Sequence, residues 1–249
     1  MASQIRAEEL GFQHEGDRLR GYAAWPAAAA PFPAVIVIHD VRGLYEHYRD
    51  VTRRFAAEGF LTFALDLYSR EGAPDLTDMA AVFRWMRALP DRRILGDIGA
   101  AVRFLSARPD VRPGAIGITG FCMGGQYALM AACTGAPLAA CVSWYGMLRY
   151  AETNATKPAS PLDLAPNLGC PYLGLFGAED GLIPSADVDE LRAILTRAGK
   201  TFEIRTYPGA GHAFFNDSRA DAYRPQAAAD GWRRAVAFLR RHLTSGAGV

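Results

Sequence analysis

The sequence predicts an α/β protein: a mostly parallel, doubly wound sheet with helices on both faces and an antiparallel hairpin at the N-terminal end, in a single domain spanning 1–249. Three observations carry that expectation. Short Val- and Ile-rich apolar runs alternate with stretches of helical period, as βαβ units require. Half of the 249 residues are hydrophobic, enough to bury a sizeable core. A Gly-Phe-Cys-Met-Gly-Gly run at 120–125 lies where a strand-like run gives way to an Ala-rich helical stretch.

The elements follow in order. Ile5 to Trp25 reads as two extended runs around a turn at Glu15-Gly16-Asp17, which is a hairpin at a sheet edge. Phe32–Ile38 is a continuous apolar run, as in a strand buried on both faces. The helix predicted over Glu46–Glu58 places Tyr48, Val51, Phe55 and Ala56 on one face and ends at Gly59. Further strands are predicted at Phe60–Leu65, Ala115–Thr119, Ala139–Tyr145, Tyr172–Phe176 and Phe202–Tyr207, with helices near 77–88, 96–107, 123–134, 185–198 and 226–243. Trp232, Ala235, Val236, Leu239 and Leu243 form one stripe on the last helix, which should face the sheet. The Pro-rich stretch 148–169 reads as a long loop.

With a net charge of +1 and dispersed basic residues, the chain offers no surface suited to nucleic acid or a membrane. A small, largely apolar substrate is expected, with no metal. Met1 to Leu10 mixes Arg6, Glu8 and Glu9 with apolar residues and has no signal-peptide core, so a cytoplasmic location is expected. Monomer and homodimer stay open. The cysteines at 122, 133, 141 and 170 lack metal-ligand spacing. Cys133, Cys141 and Cys170 read as small buried hydrophobes.

Cys122 is different because of its backbone context. A sharp strand-to-helix turn lifts its sulfur above the sheet, with Gly120 and Gly124 leaving room for the helix to approach and the first helical N–H groups facing any negative charge. Two later strands end in loops that could complete a site: Gly177-Ala178-Glu179-Asp180-Gly181 and Pro208-Gly209-Ala210-Gly211-His212. Nucleophile, acid and histidine in that order match the α/β-hydrolase arrangement. His212 is the expected base, and Asp180, rather than its neighbour Glu179, its expected orienting acid. Asp40 follows the first buried strand and is expected near the sulfur, either as proton acceptor or as a brace of its loop. The backbone N–H groups of Val41 and Met123 are the expected oxyanion donors. Arg42, Trp85 and Tyr145 are candidates for contact with substrate, and His14, His47 and His242 are expected to be structural or exposed.

These residues resemble the dienelactone hydrolase (carboxymethylenebutenolidase) family over nearly the whole chain. The likeness rests on the Gly-x-Cys-x-Gly-Gly elbow, Asp66-Leu67-Tyr68, Ser143-Trp144-Tyr145-Gly146, and the Gly-x-Glu-Asp and Gly-His-x-Phe loops. It implies a triad of Cys122, His212 and Asp180 acting on enol lactones or related esters without cofactor. The family typically has a glutamate where Asp40 stands, and that carboxylate is held to accept the thiol proton. Members that open dienelactone also present arginines to the substrate's carboxylate; the corresponding neighbourhoods here hold Asn216 and a stretch around Asp78. Arg42, Arg84, Arg87 and Arg149 are the available replacements.

The expected activity is therefore hydrolysis of a carboxylic ester or lactone through a thioester on Cys122. Two other classes compete: a hydrolase-fold binding protein without catalysis, and a thiol redox protein, for which no resolving cysteine is evident.

Overall fold

The N-terminal run folds into β1 (Ile5–His14) and β2 (Asp17–Pro26), paired antiparallel along their length. Glu15 and Gly16 turn the chain with φ of +48° and +87°. The computed structural model describes residues 4–244. Residues 1–3 and 245–249, which belong to the predicted domain and in part to the N-terminal segment read for a leader, lie outside it.

The other strands are β3 (Phe32–Ile38), β4 (Leu61–Leu65), β5 (Val111–Phe121), β6 (Ala140–Trp144), β7 (Tyr172–Gly177) and β8 (Phe202–Tyr207). Together they make one eight-stranded sheet in the order β1-β2-β4-β3-β5-β6-β7-β8. The pairs from β4 through β8 are parallel, and β2 joins β4 antiparallel. Every residue of β3, β4, β6 and β7 is buried, as strands covered on both faces must be. The helices are α1 (Glu46–Ala57), α2 (Met79–Ala88), α3 (Asp91–Ser106), α4 (Met123–Cys133), the short α5 (Pro161–Leu164), α6 (Ser185–Arg197) and α7 (Pro225–Thr244). This is the α/β-hydrolase architecture. No helix among the described residues is long and apolar enough to cross a membrane.

The differences from expectation have local causes. α3 starts at Asp91, five residues before the predicted start near 96, because its buried face carries Asp91 and Asp97 and so lacks a continuous apolar stripe. Asp97 is held there by Arg70 at 2.9 Å and Arg93 at 3.1 Å. β5 reaches back to Val111 through an irregularity at which the register against β3 shifts between Phe32 and Ala34, with Gly114 at φ +69°. The predicted loop at 148–169 contains α5, whose first turn is closed by the Ser160 N–H donating to the Asp163 carboxylate at 2.8 Å.

The register brings the carboxyl ends of the central strands level. Ile38 faces Gly120, Gly120 faces Ser143, and Phe121 faces Trp144. An aromatic tier supports that edge: Phe121 stacks on Trp144 at 5.4 Å, Trp144 meets Phe215 at 4.5 Å, and Phe215 stacks on Trp232 of α7 at 5.9 Å. The predicted stripe on α7 does face inward, with Ala235, Val236, Leu239 and Leu243 buried and Trp232 half-buried.

Candidate active site

Cys122 is the single residue between β5 and α4, with φ +56° and ψ −118°, a region that L residues rarely occupy. Its N–H donates to the Trp144 carbonyl at 3.0 Å. The flanking glycines are required by contact. A Cβ on Gly120 would stand 2.0 Å from the Gly124 carbonyl oxygen, and one on Gly124 would stand 2.2 Å from that of Ile38. β5, α4 and β3 thus touch through bare backbone, and the turn can be this tight only with glycine on both sides.

The loop after β3 lies beside the elbow and is braced from several directions. Asp40 is 7% exposed, and its Oδ1 accepts the Arg42 N–H at 2.8 Å. His39 is buried; its Nε2 accepts the Leu67 N–H at 3.0 Å, so its Nδ1–H donates to the Asp40 carbonyl at 2.6 Å. The Tyr68 hydroxyl donates to the Val41 carbonyl at 2.8 Å and lies 3.8 Å from Met123 Sδ. Asp66-Leu67-Tyr68, at the end of β4, therefore holds the segment carrying the Val41 N–H.

The acid and histidine loops are tied together by backbone. The Ala178 N–H donates to Tyr207 and the Glu179 N–H to Ala210, each at 2.9 Å, and a Cβ on Gly177 would stand 2.4 Å from the Ala210 oxygen. Asp180 is buried while Glu179 is exposed. The His212 Nδ1–H donates to Asp180 Oδ2 at 2.8 Å, and Asp180 Oδ1 accepts the Leu182 N–H at 2.9 Å. That fixes the tautomer and leaves Nε2, which has no hydrogen-bond partner among the described residues, for the cysteine side. Burial disfavours the His212 imidazolium, but its coupling to Cys122 and the bond to Asp180 outweigh it, and its pKa is pushed up to about 10.

The other candidates are placed unequally. Tyr145, expected within a strand, lies one residue beyond β6 at φ +38°, fully buried, its ring 5.3 Å from that of His212. Trp85 on α2 is half-buried and meets Tyr68 edge-on at 4.5 Å. Arg42 has an exposed side chain. Arg84 lies 3.5 Å from Asp78, and Arg149 binds Asp187 and Glu190. Asn216 is buried and spends its amide on the Tyr45 and Ser218 hydroxyls. His47 pairs with Asp217 at 3.0 Å, and His242 packs on Phe238. Burial pushes the Cys133 and Cys170 thiols up to about 12 and raises that of Cys141 as well, so none of these three is a ready nucleophile.

A cavity of about 430 Å³ adjoins the elbow at Met123, walled by Phe83, Met86, Met147 and Tyr127 with Arg87 and Lys157 among its polar lining. Cys122 and His212 do not line it. Sequence reasoning missed Lys157, whose ammonium is buried and bonded at 2.6 Å to both Asp91 and the Tyr127 hydroxyl. A lone lysine in a Pro-rich stretch gives no sign of burial. Arg219 was missed too: its charge reaches Tyr145, though its guanidinium binds Asp221 at 2.9 Å.

A parallel sheet with a left-handed residue at a glycine-flanked elbow, and an acid and a histidine on the two following loops, defines an α/β-hydrolase. The comparisons agree with that class and narrow it. The model of the dienelactone hydrolase family matches residues 19–243, and the chain belongs to that family. The chain is similar to a crystal structure described as "Putative Dienelactone Hydrolase from Klebsiella pneumoniae subsp. pneumoniae MGH 78578", with 38% identity and a TM-score of 0.91 over 96% of this chain and 99% of that one. It is 35% identical to the "Putative carboxymethylenebutenolidase" of Methylorubrum extorquens, over 97% of this chain and 83% of the relative. It is 38% identical to the "Probable 2-oxo-3-(5-oxofuran-2-ylidene)propanoate lactonase" of a Bradyrhizobium species, over 92% of this chain and 91% of the relative.

Proposed function

We propose that this protein hydrolyses carboxylic esters or lactones by covalent catalysis through Cys122. The supporting observation is His212, held at 2.8 Å by Asp180 on one side and electrostatically coupled to Cys122 on the other. His212 takes the thiol proton, and the thiolate adds to the carbonyl carbon. The resulting oxyanion rests on the N–H groups of Val41 and Met123. As the carbon–oxygen bond breaks, the imidazolium returns its proton to the leaving oxygen and a thioester remains on Cys122. His212 then activates water to release the acid.

An enol or phenol is the preferred leaving group, because a thiolate is expelled more easily than an alkoxide from the tetrahedral intermediate. The mostly apolar walls of the cavity at Met123 suit the body of such a substrate, with Arg87 available to an acidic substituent. Asp40 acts here as the brace of the oxyanion loop.

The reading is tested by hydrolysis of a short p-nitrophenyl ester with wild type and Cys122→Ala, followed by intact mass. Loss of turnover in the variant, with a transient acyl adduct on Cys122 in wild type, is the expected result. Turnover that survives Cys122→Ala sinks it.

A further inference from the structure

Two hydroxyls next to this machinery are used in no step above. Tyr48 on α1 is 0% exposed and Tyr145 is 1% exposed, and neither phenolic oxygen has a hydrogen-bond partner among the described residues. Buried polar groups are almost always paired, so two orphans beside one cysteine need a reason. Both rings pack on Phe121, the residue before Cys122, with centroids at 5.5 and 6.3 Å. Tyr145 stands edge-on to the His212 ring. Its φ of +38° is strained for an aromatic residue and is held by its N–H donating to the Leu175 carbonyl at 2.8 Å. Burial, and next the charge of Asp40, keep both phenols protonated far above neutrality, so each offers an O–H donor.

We propose that the Tyr48 and Tyr145 hydroxyls form a paired donor cradle for the leaving oxygen of the substrate, separate from the N–H groups that hold the oxyanion. The assignment rests on the thioester reading. The leaving oxygen must meet His212 Nε2, and Tyr145 lies against the His212 ring, while Tyr48 packs on Phe121 and, at 6.3 Å, on His39 of the β3 loop. The nearby Asp40 carboxylate disfavours a permanently anionic group, so the cradle suits an oxygen that bears charge only while it departs. In the step itself the Sγ–carbon bond is already formed, the carbon–oxygen bond breaks, and its electron pair goes to the leaving oxygen. That oxygen takes the His212 proton, and both phenols keep theirs. The substrates this favours are esters of enols and phenols of ordinary acidity, and enol lactones whose leaving oxygen stays tethered.

The test uses Tyr48→Phe, Tyr145→Phe and the double variant on aryl acetates ranging from p-nitrophenyl to unsubstituted phenyl, with Cys122→Ala as control. Each hydroxyl removed is expected to lower kcat/KM for phenyl acetate about tenfold and for p-nitrophenyl acetate less than about threefold, a steeper dependence on leaving-group acidity. Melting temperatures are expected to hold or rise, since an unpaired buried hydroxyl is lost. An equal loss across the series, or no loss with any ester, overturns the cradle. Wild-type hydrolysis that is indifferent to Cys122→Ala overturns the parent reading, and the control reports that separately.

Discussion

The Tyr68 hydroxyl crosses from the end of β4 to the loop after β3 and donates to the Val41 carbonyl at 2.8 Å. Val41, whose N–H is the proposed oxyanion donor, is therefore steadied at its carbonyl by a side chain outside its own loop, while the preceding peptide is held by the His39 Nδ1–H at the Asp40 carbonyl. Removing an oxyanion donor outright costs about 100- to 1,000-fold in kcat, and loosening one costs less. Tyr68→Phe is expected to lower kcat for an aryl ester about tenfold with KM changed less than about threefold. Steady-state kinetics checks this; an unchanged kcat would mean that His39 and Asp40 hold the loop without it.

Asp40 separates brace from base. An asparagine keeps an Oδ1 to accept the Arg42 N–H, which lies 2.8 Å from the present carboxylate, but cannot take a proton from a thiol. Asp40→Asn is expected to retain activity within about tenfold, and Asp40→Ala to lose more activity along with about 1 kcal/mol of stability from the lost hydrogen bond. Kinetics and thermal melts on the two variants decide it, and an asparagine variant as inactive as the alanine one would return Asp40 to the role of proton acceptor.

The coupling of His212 to Cys122 predicts a pH dependence. The folded pKa of about 10 lies above the ordinary value of 6.5. Protonation of His212 therefore contributes stability that is fully present below about pH 6.5 and is lost as pH rises through about 10. The proposed acylation, which uses the imidazolium as acid, should fall over the same upper limb. Cys122→Ser removes the coupling to Cys122 that raises the His212 midpoint, which, followed by NMR of the ring, is expected to drop. A midpoint unmoved by that substitution would show that the two groups do not titrate together.

The buried Lys157–Asp91 pair anchors the 148–169 stretch to α3 and α4. Their side chains are 5% and 2% exposed, and Asp91 also accepts from the Tyr127 and Tyr150 hydroxyls. Lys157→Met leaves a carboxylate buried without its counter-charge, at a cost of about 3–5 kcal/mol. Chemical denaturation of Lys157→Met, Asp91→Leu and the double variant is expected to show the double losing less than the two singles together. Additive losses would mean that the pair contributes no coupling energy.

The fold and the site are marked unequally in the sequence. The strands were legible because β3, β4, β6 and β7 are buried on both faces and so appear as unbroken apolar runs. The start of α3 was not, since Asp91 and Asp97 occupy its buried face and only their distant partners, Lys157 and Arg70, make that tolerable. The positions of Cys122, Asp180 and His212 could be picked out because turn geometry marks each one locally. Tyr48 carried no such mark. On a helical face beside Val51 and Phe55 it reads as packing, and only the assembled site shows its hydroxyl without a partner.

The closeness of Gly120 and Gly124 has a consequence for the choice of nucleophile. Because bare backbone on three elements forces the turn, the strain at position 122 is set before any side chain is chosen there, and sulfur and oxygen would leave the backbone in the same direction, the oxygen standing lower on its shorter bond. The elbow is a socket that is indifferent to the atom it holds. Under the proposed reading, replacing Cys122 by serine exchanges a soft nucleophile for a hard one on the same backbone frame, and a difference in the esters cleaved traces to the atom, its bond length and its coupling to His212.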